Sequence, residues 1–149
     1  MLSWQQFIIL FWLIYSFLGF LKGLQQSAFN KNPYGLSYAF NLIGAFVWGD
    51  AVIFGLFWTI VSLVTLFLDN WLLFLMAISF FWVIRSLGEM IYWLNEQFSQ
   101  KNLNPPEKLY WSKIFPNKSV WFAYQIFWQC LLVVFLLFSC YFLKLWWNS

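Results

Sequence analysis

The chain has 149 residues, of which 63% are hydrophobic, 26% aromatic and only 9% charged. Soluble domains carry about 25% charged residues, so this composition cannot furnish a water-facing surface, and its apolar runs are too long for a globular core. Eight Lys/Arg stand against five Asp/Glu, a net charge of +3, scattered without the basic run or stripe that marks a nucleic-acid binder.

A chain of this kind is expected in a bilayer, where each backbone polar group must find its partner within a helix or a closed barrel. The runs are long and not alternating, so the predicted class is all-α: a polytopic integral membrane protein, a four-transmembrane-helix bundle forming one domain over residues 1–149. The first span is predicted at about 4–22, because uncharged Leu2 to Gln6 extend the short apolar run to about the twenty residues a crossing needs. This segment has no basic leader and no small-residue cleavage site, and its first lysine, Lys22, follows the apolar run. It reads as a retained helix and not a cleaved signal.

Residues 34–47 are apolar but interrupted by Gly35, Asn41 and Gly44. Fourteen residues are too few to span. The segment is expected to be a short interfacial or re-entrant helix, an amphipathic surface helix being the simplest form, or else an extension of span two. Spans two and three follow at 48–68 and 71–94 around the tight turn Asp69-Asn70, and span four at 120–146. Eight of the twelve tryptophans fall near predicted span ends, where the amphipathic indole is favoured. The other four, Trp12, Trp58, Trp82 and Trp128, fall one inside each span and read as packing residues. The loop 99–119 contains Pro105, Pro106 and Pro116, which forbid a continuous helix, and its aromatics and lysines suit the headgroup layer.

Cys130 and Cys140 lie ten residues apart in one apolar run, about 15 Å along a helix. A disulfide needs Cα atoms within about 7 Å, so both are expected to be small apolar residues. With no histidine in the chain and no zinc spacing, neither a metal site nor a cofactor is expected, and Ser-His or Cys-His nucleophiles are excluded. Asn117-Lys118-Ser119 fits a glycosylation acceptor but falls on the predicted cytoplasmic side, where the match is by chance.

Function is expected to reside in the few polar residues of the spans. A charge in hydrocarbon costs several kcal/mol by most scales and is retained where it is paired or used. Counting from the Asp69-Asn70 turn at about 1.5 Å per residue places Asp50 and Glu89 level, about 29 Å away, and Arg85 about 6 Å nearer the membrane centre. Arg85, Glu89, Tyr92 and Glu96 recur at i, i+4, i+7 and i+11, one face of a helix. Gln125 and Gln129 form an i, i+4 pair near the start of span four, and Ser16, Gly19, Lys22 and Gly23 lie at the corresponding end of span one. Polarity thus gathers in one leaflet, whereas a through-channel needs polar lining at all depths.

The candidate binding residues are Asp50, Arg85, Glu89, Tyr92, Gln125 and Gln129; no catalytic residue is assigned. The alternative for each is interhelical glue. Three functions compete. The first is a binding or transport component with a cytoplasm-facing pocket for a lipid or small amphiphile, working as a homo-oligomer or with a partner subunit, since four helices without inverted repeats leave little room for alternating access. The second is an accessory or assembly protein for another membrane protein. The third is an intramembrane enzyme acting on a lipid-linked substrate, which the absence of histidine and of a phosphate-binding loop disfavours.

Lys22, Lys31, Lys101, Lys108, Lys113 and Lys118 fall in the two long loops, against Lys144 alone on the other side. The positive-inside rule therefore predicts cytoplasmic long loops and both termini outside, in the plasma (inner) membrane. Cysteine labelling at Ser99 and Ser149, in a background lacking Cys130 and Cys140, is expected to reach Ser149 from outside and Ser99 only after permeabilisation. The opposite pattern overturns this orientation.

Overall fold

The computed structural model describes residues 1–99 and 103–148. Lys101, counted in the loop-charge argument, and Ser149, a labelling site, lie outside the described residues. Four α-helices are present: α1 Ser3–Leu24, α2 Trp48–Phe67, α3 Trp71–Phe98 and α4 Ser119–Trp147. All four are long and apolar enough to cross a membrane. No strand occurs among the described residues beyond one isolated antiparallel bridge. The chain is an all-α integral membrane protein, and the predicted spans match these helices to within a few residues. The largest difference is at the end of α3, which continues to Phe98. Asn95, Glu96 and Gln97 lower the hydropathy there but are adequate helix formers, so the apolar run stops before the helix does.

Contacts cluster into two units, Met1–Ala77 and Ile78–Ser149. The first holds α1, α2 and the opening turns of α3. Its two full helices meet through small residues. A Cβ added at Gly55 would lie 2.6 Å from the backbone nitrogen of Phe20 and 2.8 Å from the carbonyl oxygen of Ser16. A Cβ at Gly23 would lie 2.7 Å from the backbone nitrogen of Val52. The helices therefore touch backbone to backbone, the arrangement small residues permit in a bilayer. The polar-looking end of span one is thus largely a packing face: Ser16, Gly19 and Gly23 are all buried, and the Ser16 hydroxyl donates to the carbonyls of Trp12 and Leu13 on its own helix. Nearer the other end, Trp12, Trp58 and Phe74 form an edge-to-face cluster, Trp12 to Trp58 at 5.6 Å and 83°. This packing role is the one expected of the mid-span tryptophans.

α1 runs on into a π-helical turn, Gln25–Phe29, and the chain then reverses through Lys31 at φ 51°. The ambiguous segment 34–47 is neither an amphipathic α-helix nor an extension of α2. It forms two short 3-10 turns within Tyr38–Ile43, kinked at Phe40 (φ −120°) and ended by Gly44 at φ 79°. The Leu36–Val47 bridge closes it, with Ser37 N–H donating to Phe46 at 3.0 Å and Trp48 N–H to Gly35 at 3.0 Å. Gly44 supplies the left-handed turn that lets the chain double back, and Val47 is extended, so α2 begins only at Trp48. Phe40 and Ile43 point inward onto Gly19, and the Tyr15 hydroxyl donates to the Ala39 carbonyl at 2.6 Å.

At the opposite end of this unit, Asp69 adopts φ 47° in the α2–α3 turn, and Asn70 Oδ1 caps α3 by accepting from Leu73 N–H at 2.9 Å. The Met1 ammonium lies 2.6 Å from Asp69 Oδ2, and Gln6 Nε2 donates to Oδ1 at 3.1 Å. The ammonium first, and Gln6 second, hold the Asp69 carboxyl below its usual range.

The second unit holds the rest of α3, the loop and α4. Large rings replace small residues here. Tyr124 of α4 is sandwiched between Trp93 of α3 at 4.6 Å and 17° and Trp111 of the loop at 4.7 Å and 12°. Trp82 stacks on Phe135 at 5.7 Å and 16°. The loop contains two short 3-10 turns, Pro106–Lys108 and Tyr110–Lys113, and no longer helix among its described residues, in keeping with its prolines.

The glycine contacts yield a paired prediction. Gly55→Ala must push α1 and α2 apart and is expected to cost about 2 kcal/mol as an overpacked site. Gly88→Ala meets nothing within 4 Å and is expected to be neutral or to stabilise by up to ~1 kcal/mol through helix propensity. Unfolding in mixed micelles measures both, and equal effects of the two substitutions contradict the close crossing.

Candidate functional site

α3 carries the polar stripe. Rich in Leu, Phe, Ile and Trp and free of proline, it forms one helix and so preserves the i, i+4, i+7, i+11 register. At 28 residues it is about 42 Å long and exceeds the roughly 30 Å hydrocarbon core. If Trp71 marks one interface, Arg85 and Glu89 lie within the hydrocarbon and the last two turns emerge at the other.

Arg85 Nη2 and Glu89 Oε1 are 2.8 Å apart, with side chains only 16% and 14% exposed. This ion pair was expected from the i, i+4 spacing. Its order, cation nearer the helix N-terminus, is the less favourable one for the helix dipole, so dipole effects do not account for it. The guanidinium presents a planar fork suited to a carboxylate or phosphate, and the carboxylate accepts from amines and hydroxyls.

One and two turns further along, Tyr92 and Glu96 converge on a single residue that the sequence did not single out, Asn104. Its side-chain amide donates to the Tyr92 hydroxyl, and its backbone N–H donates to Glu96 Oε1 at 2.8 Å. Its carbonyl accepts from Trp121 Nε1 at 2.9 Å. Glu96 is 3% exposed, a carboxylate buried by the loop that folds over it. The available signal was Asn104-Pro105, a dipeptide that initiates turns; nothing local in the sequence says what such a turn lands on.

Gln125 is buried, and its Oε1 accepts from Gln97 Nε2 at 2.7 Å, tying α4 to α3. Gln97 also donates to the Trp93 carbonyl at 3.2 Å. This is the geometry of interhelical glue, with Gln97 as the partner that hydropathy hid at the end of the span. Gln129 lies one turn on, half-buried. Asp50 belongs to the first unit, half-buried in the first turn of α2, where its carboxylate accepts from Phe46 N–H at 3.2 Å. A carboxylate there also meets the positive end of the helix dipole, so part of its role is to start α2.

No protein-family model matches the chain, and no curated protein or solved structure matches it. The functional reading rests on the residues themselves.

Replacing Glu96 by Leu strands the Asn104 N–H and frees the loop from α3. The expected cost is about 2 kcal/mol, since a buried donor loses a charged acceptor. Glu107→Ala, exposed on the same loop, is expected to stay within about 0.5 kcal/mol of the parent protein. Equal melting of the two variants contradicts the pinned loop.

Proposed function

We propose that this protein is the membrane-embedded binding or transport component of a larger assembly, acting as a homo-oligomer or with a partner subunit. Its binding groups are Arg85, Glu89 and Tyr92 of α3 and Gln125 and Gln129 of α4, and the site opens to the cytoplasm. The lysine distribution supports that orientation, with both termini outside and the plasma (inner) membrane as the setting. Asp50 is included on the depth argument from sequence.

The observation that carries this reading is the Arg85–Glu89 ion pair, more than four-fifths withdrawn from solvent within a membrane-spanning helix. Two charges kept at such a depth carry a desolvation cost that a pair of apolar residues would not. A ligand that offers an acid to Arg85 and a donor to Glu89 exchanges with the pair without leaving either charge bare. A polar or amphiphilic small molecule meets both demands, and the Tyr92 hydroxyl adds a donor and acceptor toward the interface.

The test is extraction in mild detergent followed by native mass spectrometry and thermal melting. Wild-type protein is expected to retain a bound small molecule. Glu89→Gln, which keeps hydrogen-bonding capacity but removes a counter-charge of Arg85, is expected to lose that molecule at a stability cost below that of Arg85→Leu. Arg85→Leu alone is expected to cost about 3 kcal/mol by stranding carboxylate charge. Full recovery of both stability and bound species in the joint Asp50→Leu, Arg85→Leu, Glu89→Leu variant overturns the proposal and makes the charges a structural clamp. For Asp50 alone, a coupling below about 0.5 kcal/mol in a double-mutant cycle with Arg85 removes it from the site.

A further inference from the structure

Residues 103–118, between α3 and α4, are held from within by polar and aromatic contacts and present a largely apolar and basic outer face. Asn104 bonds to Tyr92, Glu96 and Trp121, and Trp111 lies on Tyr124, so two points of the loop are anchored on the helices. Between and beyond these anchors the exposed residues are apolar or basic except for Glu107 and Asn117. Leu103 is 74% exposed, Tyr110 86% and Ile114 71%, and Lys108 and Lys113 are exposed beside them. In the 3-10 turn Tyr110–Lys113 its first and last residues eclipse one another, so an aromatic ring and an ammonium share one side. Among residues 103–118 three lysines stand against one glutamate. On the same residues lies a shallow depression of about 300 Å³ lined by Pro106, Glu107, Ser112, Lys113, Pro116 and Asn117.

We propose that this loop is a preformed docking platform for anionic phospholipid. Leu103, Tyr110 and Ile114 enter the acyl boundary, Lys108 and Lys113 meet headgroup phosphates, and the depression seats one headgroup. Three observations fix the occupant. Both ends of the loop continue into membrane-spanning helices, which holds the loop at the bilayer surface. The charge excess is complementary to anionic lipid and not to a zwitterionic bilayer. The rings and ammonium groups are already displayed by an anchored backbone, so the ordering cost of docking is small. Glu107 on the wall disfavours a bare phosphate and suits a headgroup whose hydroxyls donate to it, as in phosphatidylglycerol. The platform does not depend on the Arg85–Glu89 site having a ligand.

The test places an environment-sensitive fluorophore at Ile114→Cys, in full-length protein with Cys130 and Cys140 replaced by Ala. The labelled protein is reconstituted into nanodiscs of phosphatidylcholine alone or of phosphatidylcholine with phosphatidylglycerol. With phosphatidylglycerol the emission is expected to shift to the blue and acrylamide quenching to fall, and high salt is expected to reverse both changes. Each lysine replaced by Gln at positions 108 and 113 is expected to weaken the association about fivefold, while Lys→Arg at the same positions preserves it. Insensitivity to phosphatidylglycerol overturns the proposal, whether the probe is equally buried in both lipids, which makes insertion purely apolar, or equally exposed in both. Should the Gln variants fold poorly, the salt and lipid dependence of the parent protein and the Arg variants still decide.

Discussion

Lipid tails are as apolar as leucine side chains, so helices already in a bilayer gain little by burying apolar surface against each other. Close van der Waals contact and the few polar bonds available there must hold them. α1 and α2 meet this constraint by removing side chains altogether where Gly23 and Gly55 face Val52 and Phe20, so that backbone lies on backbone. The second unit meets the same constraint in the opposite way. Trp82, Trp93, Trp111 and Tyr124 supply broad flat faces whose stacked area replaces close backbone approach. The aromatic richness of the chain is in this sense a packing strategy, with the glycine crossing as its complement.

The polar groups divide along the same line. Ser16, Thr59, Thr65 and Ser139 donate to carbonyls three or four residues earlier on their own helices, which satisfies each hydroxyl locally and asks nothing of a neighbouring helix. Arg85 and Glu89 cannot be satisfied by backbone alone, because an ion requires a counter-charge as well as hydrogen bonds. Asp50 is intermediate: its position in the first turn of α2 gives it a backbone donor and the helix dipole. The residues that hint at function are therefore the small remainder left after local bonding and capping are accounted for.

The spans were legible because hydropathy over about twenty residues reports directly on the bilayer, and the turn at Asp69-Asn70 because two polar residues separate two long apolar runs. The α3 stripe was legible because helical periodicity is rigid over a regular helix, and it placed Arg85 beside Glu89 correctly. Other features depend on what a residue meets, which a sequence does not state. Gly19 and Gly23 read as part of a polar helix end, whereas Gly19 receives the side chains of Phe40 and Ile43 and Gly23 receives the backbone of α2 at Val52. The segment 34–47 read as a short helix, and Tyr38–Ile43 is helical, but its 3-10 form, the reversal at Gly44 and the Leu36–Val47 bridge were not legible from its apolar content. Gln97 and Asn104 were passed over because polar residues at span ends are ordinary, and only the fold shows which of them have buried partners.

Asn104 lies where two such features join. Its amide and backbone reach down to Tyr92 and Glu96 at the loop end of the stripe, and its carbonyl holds Trp121 at the start of α4. The loop cannot lift from the helices without breaking these bonds, and the bond to Glu96 involves a carboxylate already withdrawn from water. Glu96 would then need a replacement donor, so the lifted state is costly in a way that an all-apolar contact would not be. The charged remainder of α3 thus has two parts with different consequences. Arg85 and Glu89 pair with each other within the span. Tyr92 and Glu96 lie at the interface and couple the position of the loop to the end of the same helix.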